Sequence, residues 1–229
     1  MSGAPAEFAL DQPPSDGISQ VVWANSSDLL LASSWDRTLR LYDVTHNVCR
    51  LQVEHAGAVL DCCFDANDTR AFAVGMDQHV TAVDLATGAR NVLGSHSGVS
   101  RCVVSHVESQ SLFSGGWDGR LLGWDARQSK QTASTTPQEG ERVLTLALSG
   151  NRLVVGTSKR HVLIYDLRNL STPEQRRESS LMNQTRCIRG FPDTTGYALS
   201  SIEGRVAIEY FNPEPAVQKN KYAFKVRGE

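Results

Sequence analysis

The chain has 229 residues, 40% of them hydrophobic, and 23 basic against 25 acidic side chains give a formal net charge of −2. That balance excludes a protein-wide basic field able to hold nucleic acid non-specifically, so no direct nucleic-acid partner is expected. The length suits one large core or two modest ones, and fold must come from pattern.

The charge is uneven: residues 1–175 hold 14 basic and 19 acidic side chains and residues 176–229 hold 9 and 6, which allows a local basic patch near the C-terminal end. The five cysteines (Cys49, Cys62, Cys63, Cys102, Cys187) form no C-x-x-C pair and have no His at metal-ligand spacing. They read as reduced core thiols, with no metal or cofactor expected. The opening "MSGAPAEFALDQPP" has no basic n-region, and no run of about 18 apolar residues occurs, so a cytosolic or nuclear protein without a membrane partner is expected.

In chain order, "AEFALD" (6–11) alternates Phe8 and Leu10 with polar neighbours until "QPP" breaks the run, the pattern of a short strand. "DLLLAS" and "LRLYD" then read as two strands joined by the turn "SSWDRT", in which Asp36 can accept backbone N–H groups and Trp35 has no such local reason to be present. The same plan returns in "AVGMDQHVTAVD", "SGGWDGRLLGWD", "VGTSKRHVLIYD" and, more loosely, "LSSIEGRVAIEY". Asp36, Asp77 and Asp118 are 41 residues apart, as are Asp43, Asp84, Asp125 and Asp166, and as are His55 and His96. Each unit reads as a lead-in loop and four short strands, with an acid after an aromatic at the end of the third, as in Trp124-Asp125. This is the signature of a WD-repeat β-propeller blade, so the fold class is all-β. The organisation expected is an N-terminal segment over 1–15 with a ring-closing strand, five blades over 16–225 and a divergent tail over 226–229.

His96, Ser114 and Asp118 have the residue types of a nucleophilic triad. The repeat explains them more simply: lead-in His, second-strand Ser, turn Asp and third-strand Trp124 form a buried hydrogen-bond chain that satisfies its own polar atoms. No nucleophile elbow or phosphate loop occurs elsewhere, so no enzyme activity is expected.

In a propeller blade, the turn between the second and third strands shares a face with the loop entering the next blade. Trp35, Met76, Trp117, Ser158 and Ile202 occupy corresponding turn positions on that face. Trp35, Met76 and Trp117 make an apolar arc suited to anchoring a partner peptide. Arg186 at the entry to a first strand, Arg205 after the turn acid Glu203, and Lys225 at the end of a fourth strand are expected to converge there as an anion site for a phosphorylated or acidic peptide.

The segments "DQPPSDGIS", "SSWD", "HAGAVLDC", "RRESSL", "QTRCIR", "SSIEGRVAIEYFNP" and "KYAFK" together resemble the spindle-checkpoint WD-repeat family that brings the Bub kinases to kinetochores. The nuclear-pore mRNA export family shares "QPP" and "SIEGRVAI" and supplies the alternative reading; "SSWD", "GAVLDC" and "RRESSL" favour the checkpoint family. The resemblance covers about residue 7 to Lys225. It implies a non-catalytic scaffold of the nucleus, kinetochore and cytoplasm, whose top face binds the GLEBS motif of a checkpoint kinase or pseudokinase and phosphorylated repeats of a kinetochore scaffold. Partner contacts would fall to Trp35 and Trp117, and phosphate contacts to Arg186 and Arg205, with Lys225. Members of that family continue past "KYAFK" with two further blades; seven blades need about 290 residues. Five blades of an expected seven would leave an open arc with a loose N-terminal segment and apolar surface at both ends.

Overall fold

The computed structural model describes residues 7–226 except Ser129. Twenty strands form five four-stranded antiparallel sheets, each an up-and-down meander in chain order. The first holds β1 (Ile18–Trp23), β2 (Leu29–Ser34), β3 (Thr38–Asp43) and β4 (Val48–Glu54). The second holds β5 (Val59–Phe64), β6 (Arg70–Gly75), β7 (His79–Asp84) and β8 (Arg90–Ser95). The third holds β9 (Ser100–His106), β10 (Ser111–Gly116), β11 (Leu121–Asp125) and β12 (Lys130–Thr135). The fourth holds β13 (Val143–Ser149), β14 (Arg152–Thr157), β15 (His161–Asp166) and β16 (Gln175–Glu178). The fifth holds β17 (Thr185–Gly190), β18 (Gly196–Ser201), β19 (Arg205–Tyr210) and β20 (Tyr222–Lys225), with a single helical turn, α1 (Pro215–Gln218), before β20. The expected repeat units coincide with these sheets.

The middle strands are apolar almost without interruption because the sheets bury both faces against each other. In β6, Ala71 and Ala73 pack toward the first sheet with Leu31, Leu39 and Leu41, while Phe72 and Val74 pack toward the third with Leu112 and Trp124. The same alternation joins third to fourth through Phe113 and Leu153, and fourth to fifth through Ile164 and Leu199. The first strands stand side by side, β1 by β5, β5 by β9, β9 by β13 and β13 by β17. They line a cavity of about 610 Å³.

One irregularity recurs in all five first strands. The pairing with the second strand skips one residue just inside the strand start: Ser19, Leu60, Arg101, Leu144 and Arg186. Each is the extra residue of a β-bulge, which bends the strand and re-aims that side chain. The residues that follow tie neighbouring sheets together. Gln20 Nε2 donates to Asp61 Oδ1 at 3.0 Å, Val103 N–H donates to Asp61 Oδ2 at 2.9 Å, and Ile188 N–H donates to Thr145 Oγ1 at 3.2 Å.

The N-terminal segment differs from expectation. Ala6 lies outside the described residues, and residues 7–14 form no strand. They lie across the side of the first sheet that faces away from the second: Asp11 N–H donates to Asn47 Oδ1, Asn47 Nδ2 donates to Ala9 O, and Gln12 O accepts from both Arg40 Nη1 (2.8 Å) and Tyr42 Oη (3.0 Å). Leu10 packs on Leu30, Ala32 and Tyr42. The "QPP" stretch blocks strand pairing, and the carbonyl ahead of its prolines serves as an acceptor instead.

Burial pushes the Asp61 carboxyl above its ordinary value of 3.8, against the lowering effect of the Val103 and Gln20 hydrogen bonds. The folded chain therefore keeps this proton to higher pH than the unfolded chain. The stabilising contribution is full below the unfolded value and declines as pH rises through the folded one. Asp61→Ala leaves Val103 N–H and the Gln20 amide without their acceptor and is expected to cost about 1.5–3 kcal/mol in urea unfolding. Asp61→Asn is expected to flatten the fall of stability as pH rises from the ordinary carboxyl value through the raised folded one. An unchanged slope would show that this carboxyl titrates as in the unfolded chain.

Candidate functional site

The site grows out of the five turns joining second to third strands. In each, the third turn residue has a positive φ: Arg37 (68°), Gln78 (70°), Gly119 (77°), Arg160 (71°) and Gly204 (75°). Its N–H donates to the carbonyl of the last residue of the preceding strand, at 3.2–3.3 Å. The first turn residue is fastened to the loop entering the same sheet, since Trp35, Met76, Trp117, Ser158 and Ile202 donate their N–H to the carbonyls of Gly17, Ala58, Val99, Arg142 and Gln184. Turns and entry loops therefore share one face. Trp35, Met76, Trp117 and Ile202 are 50%, 44%, 40% and 63% exposed, so none of them is folded back under its own hairpin.

The turn acids hold this geometry. Asp36 accepts from Thr38 N–H, Thr38 Oγ1, Ser15 N–H and Arg40 Nη2, and Asp118 accepts from Arg120 N–H and Ser97 N–H at 3.0 Å each. Burial would raise both carboxyls, but these hydrogen bonds outweigh it and bring them below the usual carboxylate value.

In the third sheet His96 Nδ1 lies 3.0 Å from Asp118 Oδ1, His96 Nε2 lies 2.9 Å from Ser114 Oγ, and Trp124 Nε1–H donates to Ser114 Oγ at 3.0 Å. With Nδ1–H given to Asp118, Ser114 donates to Nε2 and accepts from Trp124, so every polar atom of the chain is satisfied. Ser114 is fully buried, with no surface from which a substrate would reach Oγ. Gly116 makes room for the chain, since a Cβ there would lie 2.5 Å from both Asp118 Oδ1 and His96 Nδ1.

The other sheets close the same corner differently. The first uses a buried Arg40–Asp36 pair, and the fourth uses Glu141, which accepts from Thr157 Oγ1 at 2.6 Å. In the second, His55 lies 3.8 Å from Asp77, but Ala73 occupies the position of Ser114 and His55 Nε2 is buried without a partner.

Trp35, Met76 and Trp117 line one cavity of about 140 Å³ together with Ile18, Ser19, Leu60, Arg101 and Arg186. Four of these are bulge residues, and the same four also line the larger cavity along the first strands. Arg142 stacks its guanidinium over the Trp117 ring, 5.2 Å from the centroid. The expected convergence of three basic residues is divided. Arg186 lines the cavity with the apolar arc, whereas Arg205 and Lys225 do not. They face each other across β19 and β20, both exposed, and Arg205 lies 3.7 Å from Glu203.

Sequence reasoning missed Arg101, Ile18 and Leu60. The signal for Arg101 was present: Arg-Cys opens a first strand at Arg101-Cys102 and again at Arg186-Cys187, two repeats later. Among the described residues no group of three or more His, Cys, Asp and Glu could hold a metal ion, and no helix is long and apolar enough to cross a membrane. Burial pushes the Cys62, Cys63 and Cys102 thiols up; of the five expected core thiols Cys62 and Cys102 are buried, whereas Cys49, Cys63 and Cys187 are half-buried.

The orphaned His55 yields a direct test. Ala73→Ser places a hydroxyl where Ser114 stands in the third sheet, and it is expected to raise unfolding stability by about 0.5–1.5 kcal/mol. A loss of stability would show that the second sheet cannot form this chain of hydrogen bonds.

A β-propeller family model described as "Nucleolar protein 10-like, N-terminal domain" matches residues 25–211. Mitotic checkpoint protein BUB3.1 of Arabidopsis thaliana is 50% identical over 219 residues, 94% of this chain and 64% of that protein. Mitotic checkpoint protein bub3 of Dictyostelium discoideum is 44% identical over 229 residues, 98% of this chain and 69% of that protein. The mRNA export factor GLE2 of Chaetomium thermophilum is 32% identical over 229 residues, 96% of this chain and 63% of that protein. The chain thus spans a little under or over two thirds of the length of these relatives. Similarity at that level along nearly the whole chain, with five sheets of the WD-repeat plan, shows that the chain belongs to the Bub3 family of mitotic checkpoint proteins.

Proposed function

We propose that the protein is a non-catalytic scaffold of the spindle checkpoint, which docks the GLEBS-type motif of a checkpoint kinase or pseudokinase on the face carrying Trp35, Met76 and Trp117. The single observation that carries this reading is the shared cavity of the three apolar turn residues with Arg186. A cavity of this size accepts one side chain of an extended segment, and aromatic anchors beside a guanidinium are the features that concentrate binding energy in peptide recognition. The same face is read as binding phosphorylated repeats of a kinetochore scaffold. Its phosphate contacts fall to the cross-strand pair Arg205 and Lys225, with Arg186 set toward the apolar arc. Nuclear and kinetochore association follows from this role. An adaptor at the nuclear pore is the second reading, and the lower identity to the mRNA export factor disfavours it.

The five sheets are read as blades of a larger ring. On the side of the fifth sheet turned away from the fourth, Tyr222 and Phe224 stack on each other, both exposed, beside Val206 and Ile208. A further blade would cover them.

Trp35→Ala and Trp117→Ala are each expected to weaken a GLEBS-type peptide by about 2 kcal/mol or more and to leave the melting temperature almost unchanged. Calorimetric titration beside a thermal melt measures both. A melt that falls while affinity holds would make these residues turn caps rather than anchors. Arg205→Gln is expected to remove about 1.5–3 kcal/mol from binding of a phosphorylated kinetochore repeat; equal affinity for phosphorylated and plain peptide would overturn the phosphate reading.

A further inference from the structure

We propose that Thr136 is an acceptor site for a proline-directed protein kinase, and that Arg120 and Arg176 receive the phosphate and so fasten the loop entering the fourth sheet. The site stands at the end of β12, the strand of the third sheet farthest from the central cavity, and it does not depend on peptide docking.

Three observations converge on it. Thr136 is the first residue after β12, exposed and outside any strand, and the Pro137 that follows it is buried. A residue before proline is held extended, the backbone form in which a kinase cleft takes its substrate, and the proline has no N–H to leave unpaired there.

Two cations flank this threonine. Leu121 and Thr135 are the last partners of β11 and β12, so Arg120 and Thr136 come next, opposite each other where the two strands part. From the fourth sheet, Arg176 Nη1 donates to Pro137 O at 3.2 Å and to Gln138 Oε1 at 3.1 Å, one residue from Thr136. Among the described residues neither guanidinium is paired with a carboxylate, whereas Arg152 and Arg168 are engaged by Glu174 and Asp166. Of the loop's two acids, Glu141 turns inward to Thr157 and His161, and Glu139 is exposed.

The contrast with Thr172-Pro173 is the third observation. That pair, the other Thr-Pro dipeptide of the chain, lies in the loop between β15 and β16, where Asp166 and Glu174 already take the arginines beside it. A phosphate there meets carboxylates; at Thr136 it meets unpaired guanidinium groups.

In the transfer, Thr136 Oγ1 bonds to the γ-phosphorus of ATP, the bond from that phosphorus to the bridging oxygen breaks, ADP leaves, and the hydroxyl proton passes to the kinase's base. The product carries a charge of about −1.5 to −2 near neutral pH and three acceptor oxygens, enough to engage both guanidinium groups in charge-assisted hydrogen bonds. Arg120 belongs to the third sheet and Arg176 to the fourth, so the phosphate links the two. The same loop ends at Arg142, whose guanidinium stacks over Trp117, and the link therefore reaches the segment bordering the turn face.

The test uses the folded full chain with ATP and a kinase of the mitogen-activated class, which needs no basic residue after the proline; Gln138 and Glu139 stand there. Mass spectrometry is expected to place phosphate on Thr136 in the native chain and in Thr172→Val, and none on that loop in Thr136→Val. Phosphorylated Thr172→Val is expected to melt about 3–6 °C above its unmodified form. Arg120→Gln and Arg176→Gln, each added to Thr172→Val, are expected to remove at least half of that rise, and Arg120→Lys to keep most of it. Comparing the two forms of each variant cancels whatever stability the substitution itself costs.

Phosphorus NMR supplies a readout that packing alone does not move. The phosphothreonine is expected to titrate below its ordinary value of about 6, and to return toward it in Arg120→Gln and Arg176→Gln. No incorporation, phosphate on Thr172 with Thr136 left unmodified, a melt that does not rise when Thr136 is phosphorylated, or a rise that survives both arginine substitutions would each overturn the proposal.

Discussion

The second, third and fourth sheets are packed on both faces, and that constraint shapes everything else in the molecule. A strand such as β6 sends Ala71 and Ala73 one way and Phe72 and Val74 the other, all fully or almost fully buried. No room is left for polar chemistry in mid-strand, so charge and hydrogen-bonding capacity collect at strand ends and turns. The exceptions prove costly where incomplete. His96 is satisfied through Ser114 and Trp124, while its counterpart His55 has a buried nitrogen without a partner because Ala73 replaces the serine.

From the same constraint follows the position of the turn face. The strand ends on one side are held by five turns of one geometry, with an apolar or aromatic residue first in four of them, Ser158 in the other and, in the first three, an aspartate second. The acid spends its lone pairs on local N–H groups, which frees the preceding side chain to project. The bulges in the first strands then add a second ring of side chains inside the first. An outer arc of Trp35, Met76 and Trp117 and an inner set of Ser19, Leu60, Arg101 and Arg186 meet in one cavity. Chemistry at this mouth is therefore a matter of which residues occupy two repeat positions, and the scaffold beneath need not change when they do.

The repeat made the sheets and the turn face legible, because a buried polar turn tolerates few substitutions and its spacing survives as Asp36, Asp77 and Asp118. The third-sheet corner was legible for the same reason. The inner set was not, since a bulge is a change in pairing register that leaves no mark on the apolar and polar alternation; only the recurring Arg-Cys pair hinted at it. The N-terminal segment misled because Phe8 and Leu10 alternate as a strand does. What decides their place is Gln12, whose carbonyl is captured by Arg40 and Tyr42. Arg205 and Lys225 were placed on the correct strands, but cross-strand pairing sets them beside each other and not beside Arg186.

The central claim is that outer turns and inner bulges form one composite site. Hydrogen–deuterium exchange of the full chain, with and without a GLEBS-type peptide, tests it most directly. Slowed exchange is expected together at the turns around Trp35, Met76 and Trp117 and at the bulges around Ser19, Leu60, Arg101 and Arg186, with the opposite loops around Asp68 and Asp193 unchanged. Protection at the turns alone, or at those opposite loops, would contradict it.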